Sequence, residues 1–347
     1  MSDKAVSEAT ADFGLALLRQ VSKPEANSFL SPLSISLALG MTFAGADGIT
    51  AKQMRDVLFK GIADDSKIHS AFKRVMSSLN APSKAYQLSI ANRLYAQKTY
   101  QLLQQFTDLL KSHYSSEMQK VDFVNEAEST RAEINGWVEQ VTNKKIRNLI
   151  GPNILTALTR LVLVNAIYFK GDWAYKFDES ATTKKTFYAA PKKETKVDMM
   201  RQENDGLLYG ENDEKKLTGQ MLLKLIQNTS KVEVIVELPK FKMEHSFQLK
   251  NALTQLGMGE MFSQSKANFT KITGGKDLFV SHVIHKAFIE VNEEGTEAAA
   301  ATAVVMDLYE ELEDEKLPVR FQADHPFLFS IIDKRSSALL FIGHFTG

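Results

Sequence analysis

The spacing of large apolar residues changes character about half-way along the chain. In the first 150 residues, apolar positions recur at helical spacing in four segments: 13–18, 35–43, 106–114 and 134–141. A recurrence every three or four residues places such side chains on one face of a helix. Pro32 precedes the second segment and suits the first turn of a helix. This half of the chain is therefore predicted to be mostly helical.

From residue 161 onward, runs rich in β-branched and aromatic residues take over, and such runs are typical of strands. Seven strands are predicted from them: 161–169, 185–188, 207–210, 220–226, 231–239 and a closing hairpin of 325–333 with 337–345. Helices first and strands later, without strict alternation, indicate an α+β fold with mixed sheets.

The segment Val291 to Met306, VNEEGTEAAAATAVVM, fits neither group. An exposed helix is one interpretation, because alanine favours helices and glutamates favour a helix start. Against it stand the β-branched residues at the far end, the acidic stretch that follows and the lack of a large apolar stripe. As a strand, the segment would place Thr296, Ala298 and Ala300 on one face. Both faces would then be small enough to enter a preformed sheet.

The stretch KAFIEVNEEGTEAAAATA closely resembles the hinge of the reactive-centre loop in an inhibitory serpin. The resemblance extends over essentially the whole chain. It implies one serpin domain spanning 1–347, with three β-sheets, about nine helices and an exposed loop at about 293–320. The hinge residues that it implies are Glu293, Gly295, Thr296, Ala298, Ala300 and Thr302.

In that family a protease cleaves the loop, which then inserts as a new central strand of a large sheet. The resemblance therefore implies a protease inhibitor that acts as a suicide substrate, not an enzyme, and forms a covalent acyl complex with its target protease. The alternative is a non-inhibitory serpin that acts as a binding or chaperone-like protein. The small hinge residues favour inhibition, whereas the long acidic tract after the hinge keeps the alternative open.

Two counts locate the scissile bond differently. The resemblance implies a fixed distance from hinge to scissile bond of about 17 residues, or ~55 Å of strand, which counted from Glu293 ends at Tyr309, with Glu310 after the cut. Tyr309 would suit a chymotrypsin-like serine protease, and Leu308 before it would suit a cathepsin L-like cysteine protease. Counting back from the ADHPF motif leads instead to Glu313 and an acid-directed protease. We prefer the forward count, because insertion length is mechanically constrained.

The resemblance assigns further positions outside the loop. FLSPLSISLALGM and two later segments would supply a buried polar cluster beneath two strands that part: Ser31, Ser34, Asn165 and His285. Trp173 would lie where insertion begins, although a core aromatic is the simpler interpretation of a lone tryptophan. Lys240 and Glu293 would pair at the base of the hinge. Asn143 replaces a usual glycine after a helix, and asparagine tolerates the left-handed conformation needed there.

Signatures of enzymes and cofactor sites are missing from the sequence. There is no GxSxG, HExxH, CxxC or phosphate-loop motif, and Gly257-Met-Gly259 lacks the third glycine of a dinucleotide fingerprint. His282 and His285 are the closest histidine pair, and their strand setting favours a structural role over a metal site. We therefore predict no cofactor and no metal.

The composition of the chain limits the classes of partner that it is expected to bind. With 42 basic and 42 acidic residues, the chain offers no net charge for nucleic acid or anionic membranes, and no apolar run is long enough to span a bilayer. Only Lys73 and Arg74 lie together on the segment that could bind heparin, so strong heparin binding is not expected. The chain has no cysteine and its charged N-terminus does not resemble a secretory signal. We expect a cytoplasmic monomer; secretion is the alternative if a signal peptide has been removed from this sequence.

Overall fold

The computed structural model describes residues 2–81, 86–210, 217–225, 229–294 and 318–347. Most of the predicted reactive-loop positions lie outside these ranges: Gly295, Thr296, Ala298, Ala300, Thr302, Leu308, Tyr309, Glu310 and Glu313. Glu293, at the start of the hinge, is described.

Nine α-helices are found within the described residues: α1 (Ser2–Val21), α2 (Pro32–Ala44), α3 (Gly48–Leu58), α4 (Asp65–Leu79), α5 (Gln104–Tyr114), α6 (Ala127–Val141), α7 (Gly219–Leu225), α8 (Lys250–Gln255) and α9 (Thr270–Thr273). The predicted helical segments of the first half correspond to α1, α2, α5 and α6. Asn143, just after α6, has a φ of 49°, the left-handed conformation expected of it. No helix among the described ranges is long and apolar enough to cross a membrane.

The strands are β1 (Ser28–Leu30), β2 (Tyr86–Gln97), β3 (Met118–Val121), β4 (Leu161–Gly171), β5 (Thr183–Ala190), β6 (Lys193–Tyr209), β7 (Ser230–Pro239), β8 (Phe241–Gln248), β9 (Val280–Val291), β10 (Val319–Gln322), β11 (Phe327–Asp333) and β12 (Ala338–Phe345). They form three sheets with the orders β1-β12-β11, β10-β7-β6-β5 and β3-β2-β4-β9-β8. The α+β prediction with three sheets and about nine helices is confirmed.

One strand prediction is wrong. The run 220–226 was predicted as a strand, but residues 219–225 form the helix α7. Gly219 lets α7 approach α1, because a Cβ there would meet the backbone N of Asp12 and the carbonyl O of Glu8, both at 2.6 Å. The Gly219 N–H also donates to the Asp12 carboxylate at 2.6 Å. Packing against α1 thus overrides the local preference of a short apolar run.

The prediction of a mostly helical first half did not include the twelve-residue strand β2.

The five-stranded sheet separates two apolar layers. One face covers the main core, into which α2 is inserted with nearly every residue buried. The other face packs against α6 through a second cluster that includes Ile134, Val138 and Tyr168. Apolar side chains are buried on both faces of β4, which accounts for its almost continuous run of buried residues.

Candidate functional site

The boundary between β4 and β9, called the seam below, is the central feature of the five-stranded sheet. These two strands are parallel neighbours from Leu161 to Phe169 on β4 and from Val280 to Ile289 on β9. The chain leaves β9 at Val291 and reaches the predicted hinge two residues later. Residues that act on the seam therefore lie beneath it or at its hinge end.

A polar cluster lies beneath the middle of the seam and consists of Ser31, Ser34, Asn92, Asn165 and His285. Strand register creates a row of three of these residues, because Asn92 on β2 faces Asn165 on β4 and Asn165 faces His285 on β9. The Asn165 amide donates to Ser34 Oγ at 2.5 Å and to Asn92 Oδ1. Ser34 Oγ in turn donates to Asn92 Oδ1 at 3.0 Å. One amide thus joins two strands to the helix below them.

The start of α2 completes the polar cluster. Ser31 is the N-cap residue, and its hydroxyl accepts the Ser34 N–H at 3.2 Å. The Ser31 N–H donates to His285 Nε2 at 3.2 Å. A backbone N–H can only donate, so Nε2 is the unprotonated nitrogen of the imidazole and Nδ1–H faces Asn165 Oδ1. Burial lowers the pKa of His285 to about 3, which agrees with a neutral ring.

Sequence reasoning missed Asn92, which supplies a third strand to this network. The available signal was weak: one amide inside a strand whose neighbours, Ile90, Ala91 and Leu94, are apolar. Only the register between β2 and β4 places Asn92 beside Asn165. The four polar-cluster residues that the resemblance implied do lie together.

The hinge anchor, formed by Trp173, Phe177, Thr182, Lys240 and Glu293, holds the chain where it leaves β9. Trp173 Nε1 donates to the carbonyl oxygen of Asn292 at 2.7 Å. The Phe177 N–H donates to the carbonyl oxygen of Glu293 at 3.1 Å. Two consecutive carbonyls are therefore fixed by the segment that follows β4, and Trp173 has a specific contact in addition to packing against Phe177.

The side chain of Glu293 is buried although it carries a charge. Its Oε2 accepts from Lys240 Nζ at 2.7 Å and its Oε1 accepts from the Thr182 hydroxyl at 2.9 Å. Burial raises the pKa of this carboxyl, but the hydrogen bonds from Lys240, Thr182 and the backbone outweigh it and lower the pKa overall. The hydrogen bond to Glu293 raises the pKa of Lys240. Because Glu293 is only 4% exposed, this pair is more than an ordinary surface ion pair.

The polar cluster and the hinge anchor hold neighbouring segments together through hydrogen bonds and an ion pair. No group of three potential ligands among His, Cys, Asp and Glu is close enough to bind a metal within the described parts of the chain. The hydrogen bonds of the polar cluster can be exchanged for others if the strands move, whereas interlocked apolar side chains cannot.

A family model described as Serpin (serine protease inhibitor) matches residues 8–216 and 210–347. The chain belongs to the serpin family. Among curated serpins, it is 37% identical to human Serpin B4, with 99% of each chain covered. It is 38% identical to the leukocyte elastase inhibitor of Equus caballus over 380 alignment positions, which cover 98% of this chain and 99% of that protein.

Solved serpin structures agree with the fold. Maspin superposes with a TM-score of 0.88 at 26% identity, covering 100% of this chain and 99% of the other. Uncleaved ovalbumin superposes with a TM-score of 0.85 at 27% identity and 99% coverage of both chains. The serpin resemblance drawn from the hinge sequence is thereby confirmed.

Proposed function

We propose that this serpin inhibits a protease by cleavage of the segment after β9 and insertion of that segment into the seam. The topology of the seam supports this most directly. Because β4 and β9 run parallel, a chain that turns back after β9 runs antiparallel to both strands. Insertion would replace one parallel ladder with two antiparallel ladders, which are slightly more stable per residue.

The hinge anchor marks where insertion begins. Trp173, Phe177 and Lys240 hold Asn292 and Glu293 through hydrogen bonds and an ion pair, all of which can break and re-form. Beyond Glu294 the sequence consists of Gly295 and then mainly Ala and Thr up to Ala303. Residues this small can enter between two strands without displacing the core beneath them.

The polar cluster is proposed to ease the separation of the two strands. Asn165 on β4 and His285 on β9 bond to each other and to α2, so separation would exchange hydrogen bonds rather than disrupt apolar packing. The free energy for the change would come from an uncleaved state that is kinetically trapped above the inserted one.

The proposed targets follow from the forward count. Tyr309 as the residue before the cut would suit a chymotrypsin-like serine protease, and Leu308 would suit a cathepsin L-like cysteine protease; Glu313 stays the alternative. The relative named leukocyte elastase inhibitor supports protease inhibition as the activity class. We also propose a cytoplasmic location, as the sequence suggested. Strong binding of a polyanion such as heparin is not expected, since Arg74 pairs with Asp3.

The test is a panel of chymotrypsin-like and cathepsin L-like proteases mixed with the protein at increasing molar ratios. We expect at least one complex that survives SDS, together with a released C-terminal peptide whose mass identifies the cut. Cleavage should also raise the melting temperature strongly, because the inserted strand gains a full set of ladder hydrogen bonds. If every protease that cuts within 305–315 released cleaved protein with an unchanged melting temperature, the non-inhibitory alternative would replace this proposal.

A further inference from the structure

The outer face of the seam, opposite to the polar cluster, is covered by the loop of residues 142–160 that connects α6 to β4. Ile146 and Ile150 of this loop are buried in the second apolar cluster. The same cluster contains Val164 of β4 and Ile284 of β9, which face each other across the seam. The loop therefore covers the boundary at which a new strand would have to enter.

Two residues of the loop contact opposite sides of the seam. Lys145 Nζ lies 5.7 Å from the ring centroid of Tyr168 on β4, a distance at which a cation is attracted to an aromatic face. The carbonyl oxygen of Arg147 accepts a hydrogen bond of 2.7 Å from Lys286 Nζ on β9. These four residues, Lys145, Tyr168, Arg147 and Lys286, are called the clasp below. The clasp joins β4 to β9 through the loop.

The loop is attached to the β4 side of the seam. It leads directly into β4, and the Asn135 side chain of α6 makes two hydrogen bonds of 2.9 Å with the backbone of Ile150. The helix α6 is held on β2, where the guanidinium carbon of Arg93 lies 4.1 Å from the ring centroid of Trp137. Lys286 therefore ties β9 to a body that includes α6, the loop, β2 and β4.

Lys286 has a second partner on its own side of the seam. The residue is only 9% exposed, and its Nζ lies 2.5 Å from Glu244 Oε1. Glu244 is on β8, the neighbour of β9 on the side away from the seam. Separation of β4 from β9 could thus break the bond to Arg147 and keep the ion pair with Glu244. The ammonium would not be left buried without a partner, a state that is strongly unfavourable.

Insertion of a strand requires the contact between Lys286 and Arg147 to break. Neighbouring strands lie about 4.8 Å apart, so a strand inserted between β4 and β9 would move β9 away from the loop by about that distance. With the ammonium held by Glu244, a hydrogen bond of 2.7 Å does not survive such a displacement. The apolar contacts of the loop have no fixed direction and can adjust to the movement.

We propose that the clasp restrains the seam of the uncleaved protein and thereby sets how fast a strand can enter it. The insertion step rests on the function proposed above, whereas the restraint is a property of the uncleaved protein alone. The backbone at the start of the loop is consistent with a segment that is held in place. Asn143 and Lys144 have φ values of 49° and 62°. Lysine rarely adopts this conformation, which persists where surrounding contacts hold it.

Hydrogen exchange of the uncleaved protein, measured on peptides of β4 and β9, is the first test. Lys286→Met keeps the apolar stem and removes the donor, so the seam amides should exchange about tenfold faster, as expected for the loss of one charge-assisted hydrogen bond. Glu244→Gln is the matched control, because it removes the ion pair of the same ammonium without touching the contact across the seam. Its seam amides should exchange at a rate close to that of the parent protein.

Peptides of β11 and β12 provide the internal reference for this measurement. Their exchange should be unchanged in both variants, which distinguishes a local opening of the seam from a general loss of stability. Equal exchange at the seam in the parent protein and in Lys286→Met would overturn the proposal. Equal acceleration in Lys286→Met and Glu244→Gln, or acceleration throughout the protein, would also overturn it.

Uptake of a synthetic peptide of residues 293–306 in the absence of protease is the second test. Lys286→Met should take up the peptide about tenfold faster than the parent protein, because the same hydrogen bond must break first. Lys286→Arg, which restores a cationic donor, should return the rate toward that of the parent. Equal uptake by the parent and Lys286→Met would refute the clasp and leave the proposed function intact. Faster exchange without peptide uptake in any variant would refute strand insertion, and with it the proposed function, while the restraint of the seam would stand.

Discussion

The seam of the large sheet and the three-stranded sheet hold their strands together in opposite ways. At the seam, Asn165 and His285 share hydrogen bonds with Ser31 and Ser34 of the helix below. In the small sheet, β12 is buried almost throughout, and Phe29, Phe329 and Phe341 pack around its centre. The polar cluster and β12 are both buried, but only the strands of the seam are joined by side-chain hydrogen bonds, which can be replaced by other hydrogen bonds if the strands move.

The two kinds of contact respond differently when neighbouring strands are displaced. Hydrogen-bonded contacts are directional and exchangeable, and the proposed insertion requires that the strands over the polar cluster separate at moderate cost. Interlocking aromatic side chains lose their dispersion contacts on any displacement, so the small sheet should act as a rigid base.

Substitution of Thr296 is the most direct test of the proposal that a strand inserts into the seam. Thr296→Arg should convert the protein from inhibitor to substrate, because insertion would bury a guanidinium without a partner while cleavage remains possible. We expect the number of protein molecules cleaved per protease inhibited to rise at least tenfold. Glu297→Arg, on the opposite face of the assigned strand, should be much milder. Equal inhibition by both variants would show that the assigned alternation is wrong.

Rigidity of the small sheet is tested at Gly343 in β12. A Cβ there would meet Phe29 Cβ at 2.6 Å and also contact the ring of Phe329. Gly343→Ala should lower the free energy of unfolding by about 3 kcal/mol. Gly136→Ala is the control, because nothing beyond its own helix lies within 4 Å of the added Cβ and alanine favours helices by about 0.5–1 kcal/mol. Urea unfolding of both variants checks this, and a neutral Gly343→Ala would contradict tight packing.

Exchangeability of the seam contacts is tested at Asn165. Asn165→Ala leaves His285 Nδ1–H and Ser34 Oγ short of a partner and should destabilise the protein by about 2 kcal/mol. Asn27→Ala, which removes an acceptor for Thr346 beside the small sheet, should have a similar effect on stability. Only the Asn165 variant should take up a synthetic peptide of residues 293–306 faster than the parent protein. Equal rates in both variants would argue against the seam as the insertion site.

Acid should weaken the polar cluster through His285. Its pKa is about 3 in the folded protein and about 6.5 when unfolded, so the unfolded state binds a proton first as the pH falls. Stability from this group is complete above pH 6.5 and is lost toward pH 3, at about 1.4 kcal/mol per pH unit. His285→Gln should reduce the slope of unfolding free energy between pH 6 and 4. Burial also lowers the pKa of His69 to about 4, so His69→Gln should reduce the slope of unfolding free energy against pH by a comparable amount. An unchanged slope in the His285 variant would contradict a buried neutral ring.

The smallest effect is expected at the hinge anchor. Lys240→Met leaves the buried carboxylate of Glu293 with only Thr182 as a side-chain partner and should cost about 1–2 kcal/mol. Lys184→Met breaks an exposed pair with Asp198 at 2.9 Å and should cost less than about 1 kcal/mol. Thermal unfolding at neutral pH distinguishes the two variants. A loss of stability for Lys184→Met as large as that for Lys240→Met would mean that burial of Glu293 does not strengthen its ion pair with Lys240.

Much of this arrangement was predictable from particular residues. Pro32 indicated the start of α2, and the β-branched run from Leu161 indicated β4. Lys240 and Glu293, assigned as a pair from the resemblance, are 2.7 Å apart in the structure. These features follow from local chemistry or from a segment whose composition is unusual enough to be specific.

Other features were beyond the reach of local patterns. The strand prediction at 220–226 failed because close contact between Gly219 and α1 favours a helix there. Asn92 carries no local mark of its role, which arises from pairing with a residue 73 positions away. The place of β11 at the end of its sheet among the described strands is likewise invisible in its own seven residues, because it depends on which strands are neighbours.

Local sequence indicated the helices α1, α2, α5 and α6 and the strands β4, β7, β11 and β12, and it showed that the residues from Gly295 to Ala303 are mostly small. That β4 and β9 are neighbours, and that Asn92, Asn165 and His285 form one row, is visible only in the folded protein. The physical reason is the range of the interactions. Propensity and periodicity act within a few residues, whereas register, layering and edges depend on contacts between segments that are far apart in the chain.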